Sequence, residues 1–185
     1  AISTAALPSL SENDFATLTT DQVKALTNTQ LPSLTTSQLS SLTTSQVGAM
    51  ATSQVAALTS AQVANLTTGQ LNALGTTLVK AIELADIVGI DNTHMDALTT
   101  AQVAALTTAQ VAKLTTAQVS ALETADLAAM STAQVAALTT AQAAALTTAQ
   151  VGALTTAQLQ SLSQAQVRTL TSSDVTALST SQLQA

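Results

Sequence analysis

The chain has 185 residues, of which 8% are charged, a single aromatic residue, Phe15, and a net charge of −6. Its four cations, Lys24, Lys80, Lys113 and Arg168, are too few and too scattered to neutralise a phosphate backbone or hold an anionic membrane surface, so neither is an expected partner. There is no cysteine, hence no disulfide or thiolate metal site, and no apolar run of about 18 residues that could span a bilayer.

An eight-residue phrase runs through the whole chain. With Leu98 as position 1, that position recurs from Ile2 to Leu178 without insertion or deletion, and all 23 occurrences are Leu, Ile or Met. Position 6 is Val, Leu, Ile, Met or Phe in 22 octads and Ala143 in the other. Position 5 is Gln in 16 octads and Asp in four: Asp14, Asp86, Asp126 and Asp174. Position 2 is Thr, Ser or Asp in 19. A frame kept this strictly implies that each octad fills an equivalent place in a stacked object. No linker is visible, and residues 1–185 read as one octapeptide-repeat solenoid.

Three local structures compete for the octad. On one long helix, eight residues overshoot two turns by about 80°, so the Leu/Val stripe would wander around the cylinder. A β-solenoid needs alternation, but positions 1 and 6 are separated by odd spacings, and Ala and Gln favour helix. One short helix per octad fits. Thr99 as N-cap puts Gln102 at the third helical position, a Thr-x-x-Gln capping box, and Leu98 and Val103 then form a hydrophobic staple. The expected fold is all-α: a compact α-solenoid of 23 in-register octads, each a short capped helix of about five or six residues. Such a helix is too short to survive alone. Side chains at positions 1 and 6 point inward, alanines at positions 4, 7 and 8 are buried against neighbours, and threonines at positions 2 and 3 lie near the corners. Two octads per coil would give two layers, three a triangle; periodicity allows either.

In chain order, Pro8 and Pro32 come first, where a proline removes an intrahelical hydrogen bond, so those octads should shrink to one 3₁₀-like turn. Regular octads follow. Residues 75–97 are irregular: TTLVKAIELADIV reads as one longer helix near 76–88, capped by Thr76 and ended by Gly89, with Asp91 capping the next helix. Regular octads then resume from Leu98 to the C-terminus.

The irregular segment holds the only histidine, His94, among Asp86, Asp91, Asn92 and Asp96. Whether Asp91, His94 and Asp96 bind anything is open. Their spacing matches neither an EF-hand loop nor a zincin helix, so the favoured reading is a solvated polar turn, with no metal, cofactor or catalytic residue assigned. One histidine is matched to no nucleophile, the hydroxyls are explained as caps, and no phosphate-binding glycine loop occurs, so an enzyme is not expected. A fibrillar polar zipper of glutamines explains less than the capping box, which also accounts for the threonine three residues earlier. Met50, Met95 and Met130 sit at positions 1 and 6 as core residues.

The phrase LTTAQVAAL resembles octapeptide-repeat tracts of large bacterial secreted and cell-surface proteins, and the likeness covers nearly all of the chain outside 75–97. The resemblance implies a structural role and an extracellular or cell-surface setting, and transfers no functional residue. Low lysine and abundant Thr, Ser and Gln accord with that setting. No signal-peptide pattern opens the chain, which suits a mature form or an excised piece. The expected function is that of a stalk, spacer or filament subunit, either part of a longer array or assembling end to end as a homopolymer, because neither terminal octad carries the polar outer face of a capping repeat. The alternative is a recognition surface of threonine ladders, ice-binding or adhesive.

Overall fold

The computed structural model describes residues 4–184, all of whose regular structure is α- or 3₁₀-helical. The backbone of one octad shows why. Thr99 is extended and caps the Thr100–Ala105 helix with φ −71° and ψ 149°. The Gln102 N–H donates to Thr99 Oγ1 at 3.3 Å, and the Thr99 N–H donates to Gln102 Oε1 at 3.1 Å. Leu106 then turns extended and closes the helix by donating its N–H to the Val103 carbonyl at 3.1 Å. On a straight helix, positions 1 and 6 would point about 140° apart. A break at position 1, as at Leu106, Leu114 and Leu122, lets both side chains enter one core: Leu106 is 4% and Val111 0% exposed. The other α-helices are likewise four to six residues long.

The chain forms two compact units, Ala1–Ala97 and Leu98–Ala185. In the second unit, Thr100–Ala105 packs on Thr124–Ala129, which packs on Thr148–Ala153, which packs on Ser172–Ala177. In the first, Glu12–Ala16 packs on Thr36–Ser40, which packs on Ser60–Ala64, and Thr44–Gly48 packs on Thr68–Ala73. Each step is 24 residues, so within each unit three octads make one coil and the three-sided arrangement holds. Coils approach closely through small residues at positions 7 and 8: a Cβ added at Gly48 would lie 2.8 Å from the Ala73 carbonyl oxygen.

The proline octads behave as expected. Leu7–Ser9 and Leu31–Ser33 are single 3₁₀ turns, each with its proline in the first two positions, where the missing N–H costs nothing. Two expectations are corrected. Alanines at position 4, such as Ala101, Ala109 and Ala117, and at position 7, such as Ala104, Ala136 and Ala144, are exposed, and those at position 8, such as Ala105 and Ala137, are half-buried; the residue buried between coils is the position 5 glutamine. The single helix over 76–88 does not form either. Gly75–Leu78 is helical and Val79–Ala81 is 3₁₀, but Ile82 is extended with ψ 126°, and Ile87–Gly89 is a separate 3₁₀ turn. Ile82 and Ile87 hold positions 1 and 6 and are 2% and 1% exposed, which one continuous helix could not achieve. The long helical stretch lies earlier. Thr68–Ala73 passes through Leu74 directly into Gly75–Leu78, redirected at Gly75, whose φ of 59° is a left-handed conformation that glycine adopts without penalty. Thr76 is therefore no cap.

Candidate functional site

The feature that joins coils is the position 5 amide. From Gln38 to Gln166 the glutamines at this position that flank or lie in regular octads are 1–3% exposed, a costly place for a polar group without partners. Every part of the amide is satisfied. In Gln150, Oε1 accepts the Thr147 N–H at 2.9 Å, while Nε2 donates to the Val119 carbonyl at 2.9 Å and the Leu122 carbonyl at 2.7 Å. Those acceptors lie 31 and 28 residues back, at positions 6 and 1 of the preceding coil. The same spacing recurs at Gln38 on Leu7 and Leu10, Gln62 on Leu31 and Leu34, Gln142 on Val111 and Leu114, and Gln158 on Leu127 and Met130. One side chain thus caps its own helix and also supplies donors to two carbonyls at the helix end below, of which the position 6 carbonyl also accepts the N–H three residues on.

Sequence reasoning assigned glutamine only the first of these tasks. A signal for the second was present. A capping box accepts Glu as readily as Gln, yet position 5 holds 16 Gln and no Glu. Only the amide carries donors as well as an acceptor.

Aspartate at position 5 cannot donate, and Asp86 and Asp174 are each served from the coil below by a hydroxyl 26 residues back. Ser60 Oγ donates to Asp86 Oδ1, and Thr148 Oγ1 donates to Asp174 Oδ1 at 2.8 Å. Burial pushes the Asp174 carboxyl up, but the Thr171 N–H, the Thr171 hydroxyl and the Thr148 hydroxyl outweigh it and hold the group below its ordinary value. Asp126 differs. It is 2% exposed, its N-cap Glu123 makes no side-chain cap, and Asp126 Oδ2 is buried without a partner.

The sequence-derived cluster is brought together in part. Asp91 caps Asn92–Asp96, accepting the His94 N–H at 2.9 Å, and His94 Nδ1 lies 2.7 Å from Asp91 Oδ1. These two contacts, the backbone one first, hold the Asp91 carboxyl below its ordinary value. Asp96 ends that helix exposed, and Asp86 is engaged by Ser60. No group of three or more His, Asp or Glu residues placed to hold a metal occurs among the described residues.

Two open faces complete the description. The first coil presents half-buried Leu10, Leu18 and Leu26 around a hollow of about 270 Å³ that reaches Leu7, Phe15 and Gln22. The last coil presents Val167, Val175 and Leu183, exposed by 46%, 44% and 58%, around a hollow of about 330 Å³. At the equivalent positions inside the stack, Val119 and Val151 are fully buried. No curated protein matches the chain. The ALTTAQ repeat matches residues 48–77, 79–116 and 119–156, more than half of the length. The protein belongs to the ALTTAQ repeat family.

Proposed function

We propose that the chain is a structural solenoid of a bacterial surface or secreted assembly, a spacer or filament segment that lengthens by stacking further coils on its open faces. The observation that carries this reading is the in-register stack itself, in which the same buried amide joins one coil to the next. Contacts of this kind are heterologous and open-ended, and they build lines rather than closed rings when rotation does not bring the ends together. Sedimentation velocity and negative-stain electron microscopy over a concentration series test it. Lengthwise oligomers are expected, and a monomer at every concentration would remove end-to-end assembly.

A second reading rests on the exposed threonine pairs at positions 2 and 3, such as Thr99 and Thr100, or Thr107 and Thr108. Repeated along each side, they offer a regular hydroxyl and methyl surface for ice or for an adhesive partner. Packed helices stand about 8–10 Å apart, about double the spacing of neighbouring strands, which weakens the ice-binding version. Thermal hysteresis measures it directly, and none at high protein concentration ends it.

A further inference from the structure

Two octads carry an acid at both ends of the capping box. Glutamate stands at position 2 only at Glu83 and Glu123, and each time the residue three places on is aspartate, Asp86 and Asp126. Like charges three residues apart at a helix start repel, so each pair calls for a donor or a positive charge. Asp86 has its donor, Ser60 Oγ. Asp126 Oδ2 has none: it is buried without a hydrogen-bond partner, in a residue that is 2% exposed. We propose that Asp126 and Glu123 hold a hard divalent cation, with calcium the best match, between the Thr124–Ala129 helix and the coil below it.

That coil supplies further oxygens. Thr124–Ala129 packs on Thr100–Ala105. Within this unit a position 5 side chain stands over the position 1 carbonyl 28 residues back, as Gln150 does on Leu122, and over the position 3 hydroxyl 26 residues back, as Asp174 does on Thr148. The same count sets Asp126 over the Leu98 carbonyl and the Thr100 hydroxyl. Where glutamine holds this place, its Nε2 donates to the carbonyl; a carboxylate turns one acceptor toward another, and a cation satisfies both oxygens at once. The Glu123 side chain is exposed and makes no cap hydrogen bond, which leaves its carboxylate to close the site from the solvent side. Two carboxylates, a carbonyl and a hydroxyl are the oxygen set that hard cations take, with water completing the shell. A set without thiolate or imidazole is poorly matched to zinc or copper.

The test titrates calcium chloride into the chelator-stripped full chain by isothermal calorimetry, with thermal melts followed by circular dichroism. Sodium chloride at matched ionic strength separates binding from screening of the net charge of −6. One site with a Kd of about 0.1–1 mM is expected, and at a tenfold excess over Kd the Tm should rise by about 3–6 °C. Magnesium chloride, whose cation gives up its water reluctantly, should act more weakly. Asp126→Gln restores the ordinary residue of the position, so its fold should hold. That variant and Glu123→Thr should lose the calcium response, while Glu83→Thr keeps it. Without calcium, Asp126→Gln should melt above wild type, and calcium should narrow the gap. The site is overturned if wild-type protein gives neither heat nor a Tm rise, if sodium reproduces the rise, or if Asp126→Gln responds as wild type does.

Discussion

Residues 98–122 and residues 74–97 obey the same eight-residue frame with very different chemistry. The first stretch repeats Leu-Thr-Thr-Ala-Gln-Val, and each octad there has a complete capping box. The second has Gly75 and Glu83 where a hydroxyl cap is due, and Leu78, Asp86 and His94 where the amide is due. Both stretches nonetheless bury every position 1 and position 6 side chain. The comparison teaches that the apolar pair five residues apart decides where the chain must break, and that the cap and the amide decide how well each break is satisfied. Leu78, 7% exposed, fills the amide's place with hydrocarbon, and Asp86 fills it with a carboxylate that borrows a hydroxyl.

That division of labour can be broken most strongly in the regular stretch. Gln150→Glu retains the cap acceptor but places a charge against the Val119 and Leu122 carbonyls, and should cost about 3–5 kcal/mol in denaturant unfolding at neutral pH. A loss under 1 kcal/mol would show that the amide donors contribute little beyond the cap. The reverse change, Asp126→Gln, gives the buried, unpartnered position a cap acceptor and donors, and should stabilise by about 1–3 kcal/mol by the same measurement.

Gly75→Thr sharpens the comparison, because it makes the sequence more regular and the protein less stable. Threonine at a φ of 59° is strained by about 1–2 kcal/mol, which should appear as a lower Tm. An unchanged or higher Tm would mean that residues 74–78 re-form as an ordinary capped octad. The smallest expected effect is on the acid limb. The carboxyls of Asp14, Asp91 and Asp174 are held below their ordinary value, Asp14 by the Ser11 hydroxyl and then the Ser11 N–H. A lowered folded-state pKa contributes stability that is complete above the unfolded value near ~3.9 and is lost as pH falls through the folded one. Thermal melts should therefore be level through weakly acidic pH and decline below about pH 4. The Asp91→Asn variant should show a shallower decline.

Much of the fold was legible because its determinants are local. The cap, the box and the staple all lie within six residues of one another, so composition and spacing alone placed the helix start at Thr99 and at its equivalents, and the prolines marked where the turn contracts. The site was far less legible. The Gln150 amide finds its acceptors 31 and 28 residues back, and nothing within one octad announces that distance. The stretch at 76–88 misled for a related reason: its side chains suit a helix, and only the requirement that Ile82 and Ile87 enter the same core breaks it.

By itself, the sequence determined the repeating unit, its helical character, its internal caps and the inward place of positions 1 and 6, since each of these depends on neighbours a few bonds away. The tertiary structure alone decided that three octads close a coil, that the glutamine is buried between coils rather than exposed at a helix start, and that Asp126 has an oxygen without a partner. The physical reason is that an octad cannot bury its own polar groups or complete its own core. Both tasks fall to whichever octad lies above or below, and that neighbour is set by the geometry of closure.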